Sequence, residues 1–249
     1  MIIQNYLLEK IRRRRLFSNL YSLSIVDKAE ELWEEGDNIL FSYSDNGIVR
    51  LVFSVTEWNA LRILLSRLNG SYVIDYLTRD PQLLSLDGVL LARMKRLVNT
   101  DCRVICQDNE LQNYRRDDLA TIAKDADISE INTIFWHTFN HEISHLLSDK
   151  ELQEIIHEGK ITIHKSDRID AVLQVEVHPK KFYINQIVNL GEKSIIHALL
   201  LHRLFQYMDE GGKYVYAWVD EKNIASLKFH GKYGMHHDGM WNLVWRIER

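Results

Sequence analysis

Residues 195–209 constrain the fold more than any other stretch of this chain. Ile195, Ile196, Ala198, Leu199, Leu200, Leu201, Leu204, Phe205 and Met208 fall on more than one face of a helix built from them. A surface helix carries a single apolar stripe, so this one has to lie between a sheet and further cover. Ser194 stands where it can cap the start, and Gly211-Gly212 ends the run. Apolar and aromatic runs at 182–188 and 214–219 flank it, which predicts strand, helix, strand.

The same region extends in both directions. Ser148 precedes Glu151 by three residues as a capping box, and Gly159 closes the helix that follows. Strand-like runs at 161–164 and 171–177 come next, with turns at 165–168 and 179–181. Downstream, Asp220 or Asn223 can cap a helix through Lys232, and residues 240–247 return as a last strand. The order β-β-β-α-β-α-β predicts an α/β unit, a mixed twisted sheet with flanking helices.

The first half predicts a smaller α/β lobe. A short helix is expected over 25–33, ended by Gly36-Asp37-Asn38, and runs at 39–43 and 48–55 enclose the hairpin signal Asp45-Asn46-Gly47. Residues 58–68 read as a helix stopped by Asn69-Gly70, residues 72–77 as a strand, and residues 104–106 as the close of this unit. The polar stretch 107–118 is the best boundary, which sets the lobes at 1–115 and 116–249, the second opening on an ambiguous helical region at 119–147.

Composition excludes several classes. With 46% hydrophobic residues, 11 Gly and 2 Pro, the chain is neither collagen-like nor disordered. Its 31 basic residues against 35 acidic ones give a net charge of −4 and no strong drive toward nucleic acid. The basic run Arg12–Arg15 follows apolar residues instead of preceding them, the reverse of a secretory signal. No stretch approaches the roughly 20 apolar residues of a membrane span. Cys102 and Cys106 are separated by three residues, which suits two reduced thiols in a cytoplasmic protein and no thiol-rich metal site.

His141-Glu142-Ile143-Ser144-His145 has HExxH spacing. On a helix that spacing aims two imidazoles at one zinc ion and leaves the glutamate to activate water. Thr138, Asn140, Ser144 and Ser148 give little apolar backing for such a helix, and Ser148 and Glu151 break the longer HExxHxxGxxH pattern. A zinc hydrolase is the minor reading, polar helix-end or pocket residues the main one, and no metal ligand set is assigned.

The block at 180–235 resembles the GNAT-type acyltransferase superfamily, which moves an acyl group from acyl-coenzyme A, usually to an amine. The sharpest match runs from Asn223 through Ala225, Ser226 and Phe229 to Gly234-Met235, which stands where the family has a Gly-Phe-like pair. The match covers residues 148–249, and the hairpin, helix and strand of the first half resemble part of the same fold. The resemblance implies an acyl-CoA N-acyltransferase-like domain preceded by a degenerate lobe, with acetyl-CoA or another acyl-CoA as cosubstrate.

What it implies about residues has physical sense. A helix start offers unpaired amides and a favourable dipole to a pyrophosphate. Val188, Asn189, Gly191, Lys193, Ser194 and Ile195 would form that cradle, with Asn223 on the pantetheine arm. The family's loop, Arg/Gln-x-x-Gly-x-Gly/Ala, survives here only in Gly191, with Glu192, Ser194 and Ile196 where small residues are expected. Glu192 opposes phosphate unless it points away.

N-acylation needs a neutral amine, a donor to the oxyanion and a proton for the thiolate. The N–H of Ile187 or Val188 would polarise the thioester carbonyl. His230 occupies the position of a frequent tyrosine acid, seven residues after Asn223. Glu176 and His178, two apart on one strand, share a face and are candidate bases. Asn185 and Asn189 can bond substrate or coenzyme, and Lys232 can reach a phosphate, while His197 and His202 read as packing-edge residues. The expected activity is transfer of an acyl group, acetyl first, to a primary amine of a small molecule or peptide. The alternative is a binding or regulatory protein that keeps the fold without catalysis.

Overall fold

The computed structural model describes residues 17–20, 23–82 and 85–249, so the run Arg12–Arg15 lies outside the described residues. The chain forms two compact units: Met1–Met94, His141–His145 and Met240–Arg249 make the first, and Lys95–Asn140 with Leu146–Gly239 the second. The polar stretch at 107–118 lies inside the second unit.

In the first unit, β2 (Glu31–Glu35), β3 (Asn38–Asp45) and β4 (Ile48–Val55) form an antiparallel meander, with β1 (Phe17–Ser18) also paired to β4. Asn46 at φ 50° and Gly47 at φ 86° supply the two left-handed residues that a tight hairpin needs. Helix α1 (Trp58–Leu65) crosses to β5 (Ser71–Thr78), parallel to β4, and β5 pairs antiparallel with the carboxy-terminal strand β12 (His236–Glu248). Leu61, Leu64 and Leu65 of α1 pack on Leu51, Phe53, Ile74 and Leu243. The helix expected over 25–33 is instead a 3-10 turn, Leu23–Lys28, and Trp33 lies in β2 opposite Leu40. Pairing with β3 outweighs the local helical pattern.

Residues 141–145 belong to this unit by contact. Arg50, only 2% exposed, donates from Nη1 and Nη2 to the carbonyls of Glu142 (3.2 Å), His141 (3.0 Å) and Ser144 (3.4 Å), and from Nε to Asp45 (2.5 Å). Asp45 also meets His145 Nδ1 at 2.8 Å, and Arg246 grips both oxygens of Glu142 at 3.1 and 3.2 Å. Burial by itself would raise the Asp45 carboxyl, but the hydrogen bond and charge of His145, together with Arg50, hold it below the usual range.

In the second unit, Lys95–Asn99, the end of β6 (Val89–Asn99), is followed across the sheet by β11 (Val215–Asp220), β10 (Lys181–Asn189), β9 (Ile169–His178), β8 (Ile161–Lys165) and β7 (Thr121–Ile122). Strands β7 to β10 are antiparallel neighbours, and β10 and β11 are parallel. Helix α4 (Lys193–Asp209) makes the crossover between that parallel pair. Its Leu199, Leu200 and Leu204 bury against Leu173, Val175, Phe182, Ile184, Val215 and Ala217. Helices α2 (Ile128–Thr138) and α3 (Asp149–His157) cover the other face through Ile131, Phe135, Leu152 and Ile156 on Ile163, Val172 and Val188. The helix that is apolar on several sides thus finds its cover.

One local expectation is corrected. Helix α4 starts at Lys193 with Glu192 as its cap residue, so Ser194 is already helical. Residues 104–106 lie in a 3-10 helix, Cys102–Gln107, whose start is held by Asp101 accepting from the Arg103 amide. Cys102 is buried with a free thiol, while the Cys106 side chain lies outside the described residues. The Ser148–Glu151 capping box is present as expected.

Candidate functional site

The parallel pair β10–β11 separates along its length. The two strands are paired only at Phe182 with Val215, Tyr183 with Tyr216 and Ile184 with Ala217. Beyond Ile184, β10 keeps its other neighbour, β9, as far as Asn189. At the parting point the register against β9 slips, Ile184 facing Val175 and Gln186 facing Gln174, so Asn185 is an extra residue. A bulge bends its strand and ends pairing on one side. The β11-facing backbone edge of residues 185–189 is therefore left outside the ladder.

Helix α4 begins directly after this edge. The amides of Leu190 and Gly191 are not open: both donate to the Asp170 carbonyl, at 2.7 and 3.1 Å, and Ile195 N–H donates to the Glu192 carbonyl at 3.1 Å. Helix geometry leaves the amides of Lys193 and Ser194 without partners one turn back. Lys193 and Glu192 are exposed, Ser194 Oγ donates to Glu192 Oε2 at 3.5 Å, and Ile195 is in the core. Asn189 donates to the Gly191 carbonyl at 3.4 Å, and its Oδ1 is buried with no donor among the described residues. A Cβ on Gly191 would lie 3.3 Å from Asp170, so this turn is packed. Ile187 points to the α4 side and Val188 into the α2–α3 core.

Helix α5 (Ile224–Lys232) is capped by Asn223, whose Oδ1 accepts the Ser226 amide at 3.0 Å. One turn on, His230 is 4% exposed; its Nδ1 lies 2.8 Å from the Ser226 carbonyl, which makes that nitrogen the donor. Nε2 is then a buried acceptor with no partner among the described residues. Burial lowers the His230 pKa, which favours the neutral imidazole. Lys232 faces Glu110 at 3.7 Å, and His202 faces Asp117 at 3.0 Å.

His197 is buried among the rings of Tyr114, Phe229 and Tyr233, with Nδ1 2.7 Å from the Tyr233 hydroxyl. Burial, then the charge of Lys232, pulls its pKa down to about 4. The unfolded chain binds the proton near 6.5, so the folded state loses stability as pH falls from there toward 4. At about 1.4 kcal/mol per unit, the loss is at most about 3.5 kcal/mol. Thermal unfolding between pH 7 and 4 should show it, and a His197→Phe chain that retains the same slope would exclude this residue as the cause.

The sheet face away from α4 carries Glu176 and His178, the bases expected from the sequence, together with rings that sequence reasoning missed. Glu176 faces Tyr183 across β9–β10, and Tyr183 faces Tyr216 across β10–β11, forming one row. The two rings stack at 4.7 Å and 11°. Burial, then the Glu176 carboxylate, raises the Tyr216 phenol. Arg96 binds Asp238 through Nε and Nη2, at 3.0 and 2.5 Å, and lies over the Trp218 ring at 5.9 Å. His178 Nε2 is 3.9 Å from Glu176. Period-two alternation of Tyr183 with Phe182 and Ile184, and of Tyr216 with Val215 and Ala217, was the available signal.

The HExxH residues do not form a metal site. Residues 141–144 are a turn, not a helix, so the two imidazoles lose their one-turn spacing. Glu142 is bound by Arg246 and His145 by Asp45, and no cluster of metal-ligating side chains occurs among the described residues. No helix among them is long and apolar enough to cross a membrane.

The chain has the mixed twisted sheet and flanking helices of the acyl-CoA N-acyltransferase (GNAT-type) fold, preceded by an extra α/β lobe. It is similar to a GNAT-family protein from Novosphingobium aromaticivorans DSM 12444 with a TM-score of 0.57 and 10% identity, over 87% of this chain and 90% of that one. It is also similar to a tandem GNAT protein from the clavulanic acid biosynthesis pathway, with a TM-score of 0.51 and 9% identity, over 86% and 80%. Such identities speak for the fold alone. In sequence it is similar to an octanoyltransferase of Colwellia psychrerythraea, 30% identical over 127 residues, which are 50% of this chain and 52% of that protein. The chain thus spans about half the length of that relative. No protein-family model matches it.

Proposed function

We propose that the second unit transfers an acyl group from acyl-coenzyme A to an amine of a small molecule or peptide, in a cytoplasmic setting. One observation carries this reading: β10 parts from β11 at a bulge and leaves the backbone edge of residues 185–189 outside the ladder. An extended pantetheine arm can add to such an edge as a strand does. The candidate oxyanion donors are the amides of Ile187 and Val188, with those of Asn185 and Gln186 at the bulge beside them on the same free edge. Lys193 and the first amides of α4 face the pyrophosphate, and Asn223, its Oδ1 committed to the cap, offers only its amide nitrogen. His230, with its proton on Nδ1, accepts at Nε2 the hydrogen of an N–H or S–H group. His178 is the candidate base, with Glu176 beside it at 3.9 Å.

Acetyl is the proposed group, and the name of the Colwellia relative makes octanoyl its rival. Titration calorimetry with acetyl-CoA, octanoyl-CoA and adenosine bisphosphate tests the reading. Saturable binding of one thioester, weakened about tenfold by the charge reversal Lys193→Glu, is expected. No binding of either thioester, or binding no tighter than the bisphosphate alone, would sink it. A second reading, binding without catalysis, is favoured by the capture of the Leu190 and Gly191 amides by Asp170. It requires coenzyme binding with no acyl transfer across a panel of amines.

A further inference from the structure

We infer that the row Glu176–Tyr183–Tyr216 holds a cationic nitrogen group of the acceptor, separate from the nitrogen that is acylated. This rests on the acyl-transfer reading of the same unit and names the class of acceptor it takes, an amine that carries a second cation.

The charges of the face come first. Arg96 and Asp238 neutralise each other through two hydrogen bonds, which leaves Glu176 as the carboxylate beside the ring pair. Glu176 is 39% exposed, and His178, at 3.9 Å, is too far for a hydrogen bond. Aromatic faces next to a carboxylate attract an organic cation through ring quadrupole and charge together. One residue pair further along the same face, Gln174 and Gln186 are 3% and 6% exposed, and each has a side-chain oxygen without a donor among the described residues. The surface is rich in acceptors, with Glu176 beside the rings and the exposed Lys181, paired with His178, one residue pair nearer the hairpin.

Chemistry then separates two nitrogens. The attacking amine has to be neutral, whereas a carboxylate against aromatic rings favours the protonated or quaternary form and would hold a reacting amine inert. Glu176 therefore serves recognition and not proton abstraction. Diamines, and peptides bearing a lysine or arginine side chain beside the reacting amine, have the required pair of groups.

The test uses choline and its neutral carbon isostere, 3,3-dimethyl-1-butanol, neither of which contains an acylatable nitrogen. Ligand-observed NMR titration of the intact chain is expected to show choline binding at least tenfold tighter than the isostere. Glu176→Gln, a substitution at a partly exposed site, should abolish the preference, and Tyr216→Leu should reduce binding of choline. Equal binding of the two probes, no choline binding, or a preference unchanged in Glu176→Gln would overturn the proposal. Acetyl-CoA titrated in parallel separates the two failures. Coenzyme binding without cation preference removes the subsite alone, whereas cation preference without coenzyme binding removes the acyl-transfer reading and keeps the cation site.

Discussion

An Arg50→Met chain is expected to lose about 3–5 kcal/mol of folding stability, the usual cost of removing one partner from a buried ionic cluster. The guanidinium is 2% exposed and donates to Asp45 and to the carbonyls of residues 141, 142 and 144. Methionine fills much of the volume but donates nothing. Asp45 then keeps only His145 of these two partners, and three carbonyls lose their donor. Urea unfolding followed by tryptophan fluorescence should show a lower midpoint with an unchanged slope. Cleavage by a non-specific protease should rise at residues 139–147, the turn that Arg50 holds. For comparison, Arg67 and Glu35 form an exposed pair, whose loss through Arg67→Gln should cost less than about 1 kcal/mol. If Arg50→Met proves as mild as Arg67→Gln, the turn is held by other contacts.

Phe182→Ala should be comparably severe, at about 3–5 kcal/mol. Its ring is 0% exposed and packs tilted against Tyr207 at 5.4 Å, within the core under α4. Truncation opens a cavity at the end of β10 where that strand is still paired with β11, and the Phe182 amide also bonds the Tyr214 carbonyl at 2.9 Å. The damage falls on the short ladder from which the two strands diverge. Amide hydrogen exchange should therefore quicken at 182–184 and 215–217 beyond the global change. A loss under about 1.5 kcal/mol would mean that neighbouring side chains refill the space and that the pairing at this end is held by something else.

Much of the second unit was legible in the chain. The alternation at 171–177 and 182–188, the capping box at Ser148, the Asn223 cap and the apolar helix after Ser194 are local signals, and each matches an element seen here. The site was legible in outline only. Gly191 and Lys193 mark the start of α4, but nothing local told that Asp170 would bond the amides of Leu190 and Gly191. The environment of His230 depends on what covers α5, and Glu176, Tyr183 and Tyr216 come together only through the pairing of three strands. HExxH has its zinc geometry only on a helix, and the segment is held in a turn by Arg50, about 90 residues away in sequence.

The sequence by itself determined which segments could become helices and strands, because period, caps and turn residues act within a few positions of one another. It also determined that the helix at 193–209 would be enclosed, since no single face could satisfy its apolar residues. Tertiary structure alone decided the register slip at Asn185, the parting of β10 from β11, the occupancy of the loop amides and the partners of Arg50. Each of these depends on which distant backbone or charge arrives alongside, and a hydrogen bond carries no mark in the sequence of the partner it will find.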